Sequence, residues 1–320
     1  LLFVFCCAVP TVIVLTMILV TWTSWYQSKK LAEITYNLGR ETGLVFEIDQ
    51  CRMIAPGKYV LDNVRVSDPD SGLLVATIRM IDYFRGTDRI GILLHQPEFQ
   101  SAGLGLAWSA LHDRLISCQA HTVLPTAIMA TDLNLRSRTG ALPPLELSAR
   151  ITPEGDSVRM VAHASDPSGR LGPRIRVDLF RNREEAIPAT ELVLSTEGTA
   201  LPCSAVAEYA PSIATLGPDA EFSGTIQCNE TPDGWCYDLG SSSLLRLNLS
   251  YLTDDLPHRV LGQADVRLRR CFIRPGQITD IIGTLHASNV RVKPALLVAM
   301  QEQLSMAIDF GTVGDDPNGI

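Results

Sequence analysis

The first stretch, LLFVFCCAVPTVIVLTMILVTW (Leu1 to Trp22), carries no charge, and the first charged side chain of the chain is Lys29. As a helix at ~1.5 Å per residue such a run is roughly 33 Å long, enough to cross the hydrocarbon core of a bilayer. Pro10 is tolerated in a membrane helix, where neighbours satisfy the freed carbonyl. Trp22, Trp25 and Tyr26 follow at the exit, where aromatic rings prefer to sit. The competing readings are a cleaved signal peptide and a buried core helix. The run exceeds a typical signal core, and no small-x-small cleavage pattern follows before Trp25. Residues 1–26 are therefore expected to be a retained transmembrane anchor, with Trp22, Trp25 and Tyr26 at the membrane interface.

All the charge lies beyond that run, so the formal net charge of −8 belongs to the remainder. An acidic body argues against a nucleic-acid partner, which wants a basic patch. It also gives no overall attraction to anionic headgroups. Lys29 and Lys30 alone favour a cytoplasmic side for the residues beyond the anchor. Roughly 290 residues remain, enough for one large or two ordinary domains. The chain starts at Leu1, not Met. It closes on Asp315-Asp316-Pro317-Asn318-Gly319, hairpin chemistry that asks for a strand after it. A segment of a longer protein, truncated at its C-terminus, is the expectation.

Eight cysteines are present. Cys6 and Cys7 fall in the anchor as packing residues. Cys51, Cys118, Cys203, Cys228, Cys236 and Cys271 permit 15 pairings, among which sequence does not choose. Cys228 and Cys236 flank Thr-Pro-Asp-Gly and are expected on one hairpin.

Leu31, Ile34 and Leu38 lie at helical spacing ahead of Gly43, which predicts a short amphipathic helix near 28–42 with Gly43 as its C-cap. LVFEIDQCRMI, the turn Pro56-Gly57, YVLDNVRVSDPDSG, LLVATIRMIDYF and Ile90 to Leu94 then read as strands and turns. Leu104, Trp108, Leu111 and Leu115 predict a helix over 103–116. From Thr126 the pattern is alternating. Leu133 and Leu135 form one apolar side, and Leu145 and Leu147 the next. Val158 and Met160 follow, then Ile175, Val177 and Leu179, then Leu192 and Leu194. Leu245, Leu247 and Leu249, and finally Val266 and Leu268, complete the set. Each run has one apolar and one polar face, as in antiparallel sheet wet on one side. Further helical interruptions are expected at 203–216 and at 294–307, the latter with Leu296, Leu297, Met300 and Leu304 on one face.

Catalytic signatures are missing. Gly-x-Ser-x-Gly, the P-loop, Gly-x-Gly-x-x-Gly and His-Glu-x-x-His do not occur. His112, Cys118 and His121 come nearest to a metal cluster, but their spacing fits no common zinc pattern. Asp68-Pro69-Asp70-Ser71-Gly72 lacks the remaining oxygen ligands of a calcium loop and reads as a hairpin turn. The chain is read as a non-enzyme, without cofactor or metal.

Taken in order, the chain resembles a known family. An anchor, a helix ending at Gly43, Gly43-Leu44-Val45 leading into a strand, and Leu61, Val64, Val66, Asp68 and Pro69 in an L-x-x-V-x-V-x-D-P segment are similar to the opening of the AsmA-like (AsmA/TamB-type) envelope proteins. LVLSTEGTALPCSAVAEY and RVLGQADVRLRRCFIRPGQITDIIGTLHASNV also look like that family's Gly-punctuated strands. The resemblance is a pattern without an invariant catalytic signature. It implies a mostly β fold with a few helices: a transmembrane helix, then a long curled antiparallel sheet forming an open β-groove over 27–320. It implies an inner-membrane, single-pass protein with its bulk in the periplasm. The implied role is lipid handling for outer-membrane biogenesis, with membrane phospholipid and envelope proteins as partners. The alternating apolar residues above would line the groove. An acyl chain gains ~0.8 kcal/mol per buried CH₂, so about sixteen carbons gain roughly 12 kcal/mol along a continuous aliphatic channel. Alternation alone also fits an ordinary sandwich core, and with it a structural or secretion-system subunit that moves no lipid. The short length departs from a complete membrane-to-membrane bridge.

Overall fold

The computed structural model describes residues 11–12, 23–117, 124–138, 142–168, 175–183, 189–254, 260–275 and 277–292. The fold is mostly β and antiparallel. It divides into two units, Leu1–Asn134 with Leu145–Met160, and Leu135–Pro144 with Val161–Ile320. The predicted helix at 294–307 and nearly all of the predicted anchor lie outside the described residues.

The first unit opens with α1 (Ser24–Thr42), whose N-cap Thr23 accepts the backbone N–H of Tyr26 on its hydroxyl. Gly43 ends it in the left-handed conformation (φ 74°), its N–H bonded to the carbonyl of Gly39, as the sequence predicts. The chain then runs through β1 (Val45–Ala55), β2 (Lys58–Ser67), β3 (Leu74–Arg85), β4 (Ile90–Gln100), β5 (Thr126–Arg136) and β6 (Leu145–Glu154), each bonded to the next. Pro56-Gly57 makes the first turn, with Gly57 at φ 73°. At the second, Asp68 accepts both the N–H and the hydroxyl of Ser71. Those bonds hold its carboxyl below the ordinary aspartate range.

Between β4 and β5 the predicted single helix is three short pieces: a 3₁₀ turn Ser101–Gly103, α2 (Leu104–Ser109) and a π-helical turn Ala110–Ile116. The residues that pack on the core are not those of the predicted stripe. Leu106, Ala107 and Ala110 pack on the core, together with Leu31, Ile34 and Leu38 of α1. Beneath them lie Val64, Val66, Val75, Ala76 and Ile78. Gly103 permits this approach, since a Cβ there would sit 2.9 Å from the Cα of Val75.

Strands β1–β4 share an irregularity. The residues packed in the core are Phe46, Ile48 and then Cys51 on β1, and Val66, Val64 and then Leu61 on β2. On β3 they are Ala76, Ile78 and then Ile81, and on β4 Phe99 and then Leu94 and Ile92. Inward parity therefore shifts by one residue in every strand. The register nevertheless continues across the row: Ile48↔Val64 and Gln50↔Asp62, Val64↔Ile78 and Asp62↔Met80, Ile78↔Pro97 and Met80↔His95. Each strand contributes two consecutive residues that miss the core: Asp49-Gln50, Asp62-Asn63, Arg79-Met80 and His95-Gln96. Asn63 and Gln96 take left-handed backbone (φ 51° and 50°), as does Asp132 in β5 (φ 54°). This transverse crease is laced by side chains. Asn63 donates to Asp49 (3.0 Å), Arg79 to Gln96 (3.0 Å) and Arg52 to both carboxylate oxygens of Asp62.

Left-handed backbone suits Asn and suits Gly better, but it clashes with a β-branched side chain. Asn63→Val is expected to cost about 1–3 kcal/mol, whereas Asn63→Gly is expected to lie within about 1 kcal/mol of the parent. Urea midpoints of the two variants check the crease; equal losses would show that Asn63 is not held there.

The second unit contains the end of β7 (Ser157–Ser165), the strand in which the division falls, and then β8 (Ile175–Asn182), β9 (Ala189–Ser195), β10 (Leu201–Pro202), β11 (Glu221–Ser223), β12 (Thr225–Thr231), β13 (Gly234–Asp238), β14 (Ser243–Asn248), α3 (Leu249–Leu252), β15 (Leu261–Arg274) and β16 (Gln277–Arg291). Its order is β8-β9-β12-β13-β15-β14-β11-β10. β13 and β14 share one edge of β15, through Tyr237↔Ile273 and Leu244↔Val266, and β16 pairs along the other. The predicted helix at 203–216 is instead two 3₁₀ segments, Cys203–Val206 and Pro211–Leu216. They cover a core of Cys203, Ala220, Phe222 and Leu247.

Candidate functional site

The alternating side chains predicted to contact lipid fall into register. In the first unit Leu133 faces Leu145 and Ala130 faces Leu147. The left-handed Asp132 is the extra residue that keeps Ala130 and Leu133 on one face. Leu145, Val158 and Met160 are buried, while Leu135 and Leu147 are half-buried. In the second unit Val177 faces Leu194 and Leu179 faces Leu192. Leu194 then faces Ile226, Leu192 faces Cys228, and Cys228 faces Tyr237. Ile175 lies on the same side of β8, by the two-residue period of a strand. The row ends at a polar cap, where Arg181 donates to Thr190 and to Glu230, the latter at 2.6 Å.

Two predicted residues are placed differently. Leu245 does not share a face with Leu247. A bulge sets Leu245 and Arg246 (φ 53°) against the single residue Asp265, so Leu244 and Leu247 point inward instead. Leu249 is buried but starts α3, because Asn248 caps that turn by accepting the N–H of Ser250. Val266 and Leu268 do face the core side of β15; Leu268 is buried, and Val266 pairs with Leu244 and packs against the core cluster that contains Leu247.

Part of this face is covered. In the second unit Ile213 and Leu216 of the 3₁₀ segments pack on the same buried cluster, which includes Leu247, as Leu194, Ile226, Leu244 and Val266 do, whereas in the first unit α1 and α2 pack on the core of β1–β4. β16 is the exception. By register Ile281 sits beside Cys271 and Leu285 beside Val266, both on the inward side of β15. Ile281 and Leu285 are each 60% exposed. The sequence identifies β16 as a strand but does not tell that its apolar side is open.

No family model, curated protein or solved structure matches the chain.

Among the described residues no helix is long and apolar enough to cross a membrane. The apolar stretch Leu1 to Trp22 lies outside them apart from Thr11 and Val12, and of the three aromatic interface residues only the side chain of Tyr26 is described. Also among the described residues, no group of three or more His, Cys, Asp or Glu side chains could hold a metal ion. Cys118 and His121 fall outside them. His112 is buried, stacks on Trp108 (ring centroids 5.2 Å apart) and shares a hydrogen bond with Asp113 through Nδ1 (2.6 Å).

Cys228 and Cys236 do share the β12–β13 hairpin, but Cys236 pairs with Asn229, one step from Cys228. Neighbouring residues in a strand point to opposite faces, so these thiols cannot meet. Burial pushes the thiols of Cys203 and Cys228 up to about 11, with the charge of Glu221 adding to the shift at Cys203. The folded chain thus keeps protons that the unfolded chain loses above its ordinary thiol value of 9.0. The stability these groups contribute is intact below that value and falls as pH rises toward about 11. Urea melts at about pH 8 and about pH 10 are expected to show a drop that shrinks when both residues are replaced by Ala. An unchanged drop would remove the thiols as its cause.

Proposed function

We propose that this is a membrane-anchored envelope protein that handles lipid along an apolar β face and contributes to outer-membrane biogenesis. In this reading residues 1–26 cross the inner membrane once and the body stands in the periplasm. The observation that carries it is the open apolar strip on β16. The inward face runs in register from β8 and β9 through β12, β13 and β15, and it emerges uncovered at Ile281 and Leu285. Where the face is covered it is core; where it emerges it can take an aliphatic ligand. At ~0.8 kcal/mol per buried CH₂, six methylenes laid along β16 would gain about 5 kcal/mol, and a longer strip proportionally more. A curled, groove-forming sheet belongs to this proposal. So does the reading of the chain as a non-enzyme, which rests on the sequence alone, where the common catalytic motifs do not occur.

One observation favours a second reading, a structural or secretion-system subunit. β16 is 15 residues long, and among the described residues its outer edge pairs with no strand. Such an edge is a template for strand addition by a partner protein.

Native mass spectrometry of the full chain after mild detergent extraction separates the two. Co-purified phospholipid supports lipid handling, and a stoichiometric protein without lipid supports the subunit. Leu285→Asp places a charge on the open strip, so it is expected to leave the melting temperature within a few degrees of the parent while most bound phospholipid is lost. Unchanged lipid in that variant would overturn the lipid reading of β16. An alkaline phosphatase fusion after Asp309 reports the side: activity is expected, and an inactive fusion would reverse the topology.

A further inference from the structure

The end of the first unit nearest the start of α1 combines apolar and basic groups. α1 begins at Ser24, two residues after Trp22, and β1 runs back antiparallel beside it. The 19 residues of α1 span about 28 Å, whereas the 11 of β1 span about 36 Å. The β1–β2 tip therefore returns to the level at which α1 begins, or slightly past it. A cleft of about 360 Å³ confirms the juxtaposition, since Tyr26 and Lys30 of α1 line it together with Arg52, Met53 and Tyr59 of the hairpin. The β3–β4 tip lies at the same end: Arg85 donates its N–H to the carbonyl of Gly57, and Lys58 pairs with Phe84.

These tips do not look like an ordinary solvated rim. Ile54 is 70% exposed and Met53 is exposed beside it. Lys58, Arg85 and Arg89 are exposed around them, against Asp88. Lys29, Lys30 and Arg52 flank the tips, with Glu33 bonded to Lys30 (2.7 Å) and Asp62 to Arg52 (2.8 Å). Cations outnumber carboxylates here, in a chain whose net charge is −8. Exposed aliphatic residues ringed by Lys and Arg are the composition of a surface that lies on anionic lipid.

We propose that the β1–β2 and β3–β4 tips form a second membrane contact. Met53 and Ile54 enter the interface of the bilayer that Leu1 to Trp22 would cross, and Lys58, Arg85 and Arg89 engage the phosphates of anionic phospholipid. The inference rests on reading the first stretch as an anchor. It goes beyond that reading by holding the body at a fixed attitude to the bilayer rather than on a single tether.

The test uses the full chain in nanodiscs of phosphatidylcholine, with or without phosphatidylglycerol, after scoring incorporation into the discs. A bimane fluorophore is attached at Ile54→Cys, or at Ser71→Cys in the β2–β3 turn at the opposite end of the strands; the parent treated alike gives the background. With brominated acyl chains, quenching at position 54 is expected to exceed that at position 71 several-fold. Adding Lys58→Glu and Arg89→Glu is expected to lower the quenching at position 54 in the anionic discs and to leave the zwitterionic discs unchanged. Equal quenching at 54 and 71 in discs that hold the protein would overturn the contact while sparing the anchor. Unaltered quenching after the charge reversals would overturn the phosphate contact. Failure to enter discs would bring down the anchor reading and this inference together.

Discussion

Leu247→Asp is expected to abolish the cooperative unfolding transition of the second unit, read by circular dichroism during a urea melt of the full chain. Leu247 is 2% exposed and packs with Cys203, Ala220 and Phe222 beneath the 3₁₀ segments. Truncating a buried leucine costs about 2–5 kcal/mol by itself. A carboxylate left there without a partner adds several more, or takes up a proton at a similar expense. The sum, about 5 kcal/mol or more, reaches the whole stability of an ordinary domain. Leu245→Asp serves as the comparison. The bulge turns Leu245 to the other face, where it is half-buried and paired with Glu221. That variant is expected to keep a cooperative transition. Were Leu245→Asp the more damaging of the two, strict alternation through β14 would be restored and the bulge would be wrong.

Gly224→Ala is expected to destabilise the same unit by about 2–4 kcal/mol, although it adds a single methyl. Gly224 holds φ 142°, and a Cβ there would stand 2.6 Å from the Cα of Ser242. Its N–H donates to the buried hydroxyl of Thr196, and its carbonyl accepts the N–H of Thr196. The neighbouring Thr225 exchanges two hydrogen bonds with the Ser242 hydroxyl. Neither backbone can retreat without breaking those bonds. A shift of the urea midpoint, compared with Gly198→Ala, measures the close approach. Gly198 also has positive φ (87°), but a Cβ there meets nothing within 4 Å, so it reports backbone strain alone. Equal losses at the two glycines would eliminate the contact with Ser242 as a cause.

Local chemistry made part of the fold legible. Gly43 as a C-cap, Pro56-Gly57 as a turn, and the alternation of Ile175, Val177 and Leu179 each depend on one residue's conformational preference or on a short period. The features that escaped the sequence depend on relations between strands. Leu244 and Leu245 are adjacent and equally apolar, so only the pairing with β15 decides which is inside. The Asp-Gln, Asp-Asn and His-Gln pairs inside β1, β2 and β4 look like broken alternation until the register lines them up. The apolar pattern likewise predicted which side chains share a face on β8 and β9. It could not predict what lies over them, because cover is supplied by residues distant in sequence, such as Ile213 and Leu216, which pack on the same buried cluster as Leu194. The candidate site on β16 was therefore visible as a strand and invisible as an open one.

The crease across β1–β4 has a consequence for how this sequence can change over generations. A deletion of Asn63 alone would send Val64 and Val66, or else Leu61 and Tyr59, to the wrong side of the sheet, while β1 and β3 kept their own count. The same holds for an insertion at Gln96 or a loss at Arg79. Length variation at this row is tolerable only if neighbouring strands change together. The four strands are thus bound into one heritable block, in which the left-handed positions Asn63 and Gln96 restrict the side chains allowed and the number of residues between one hairpin and the next stays fixed.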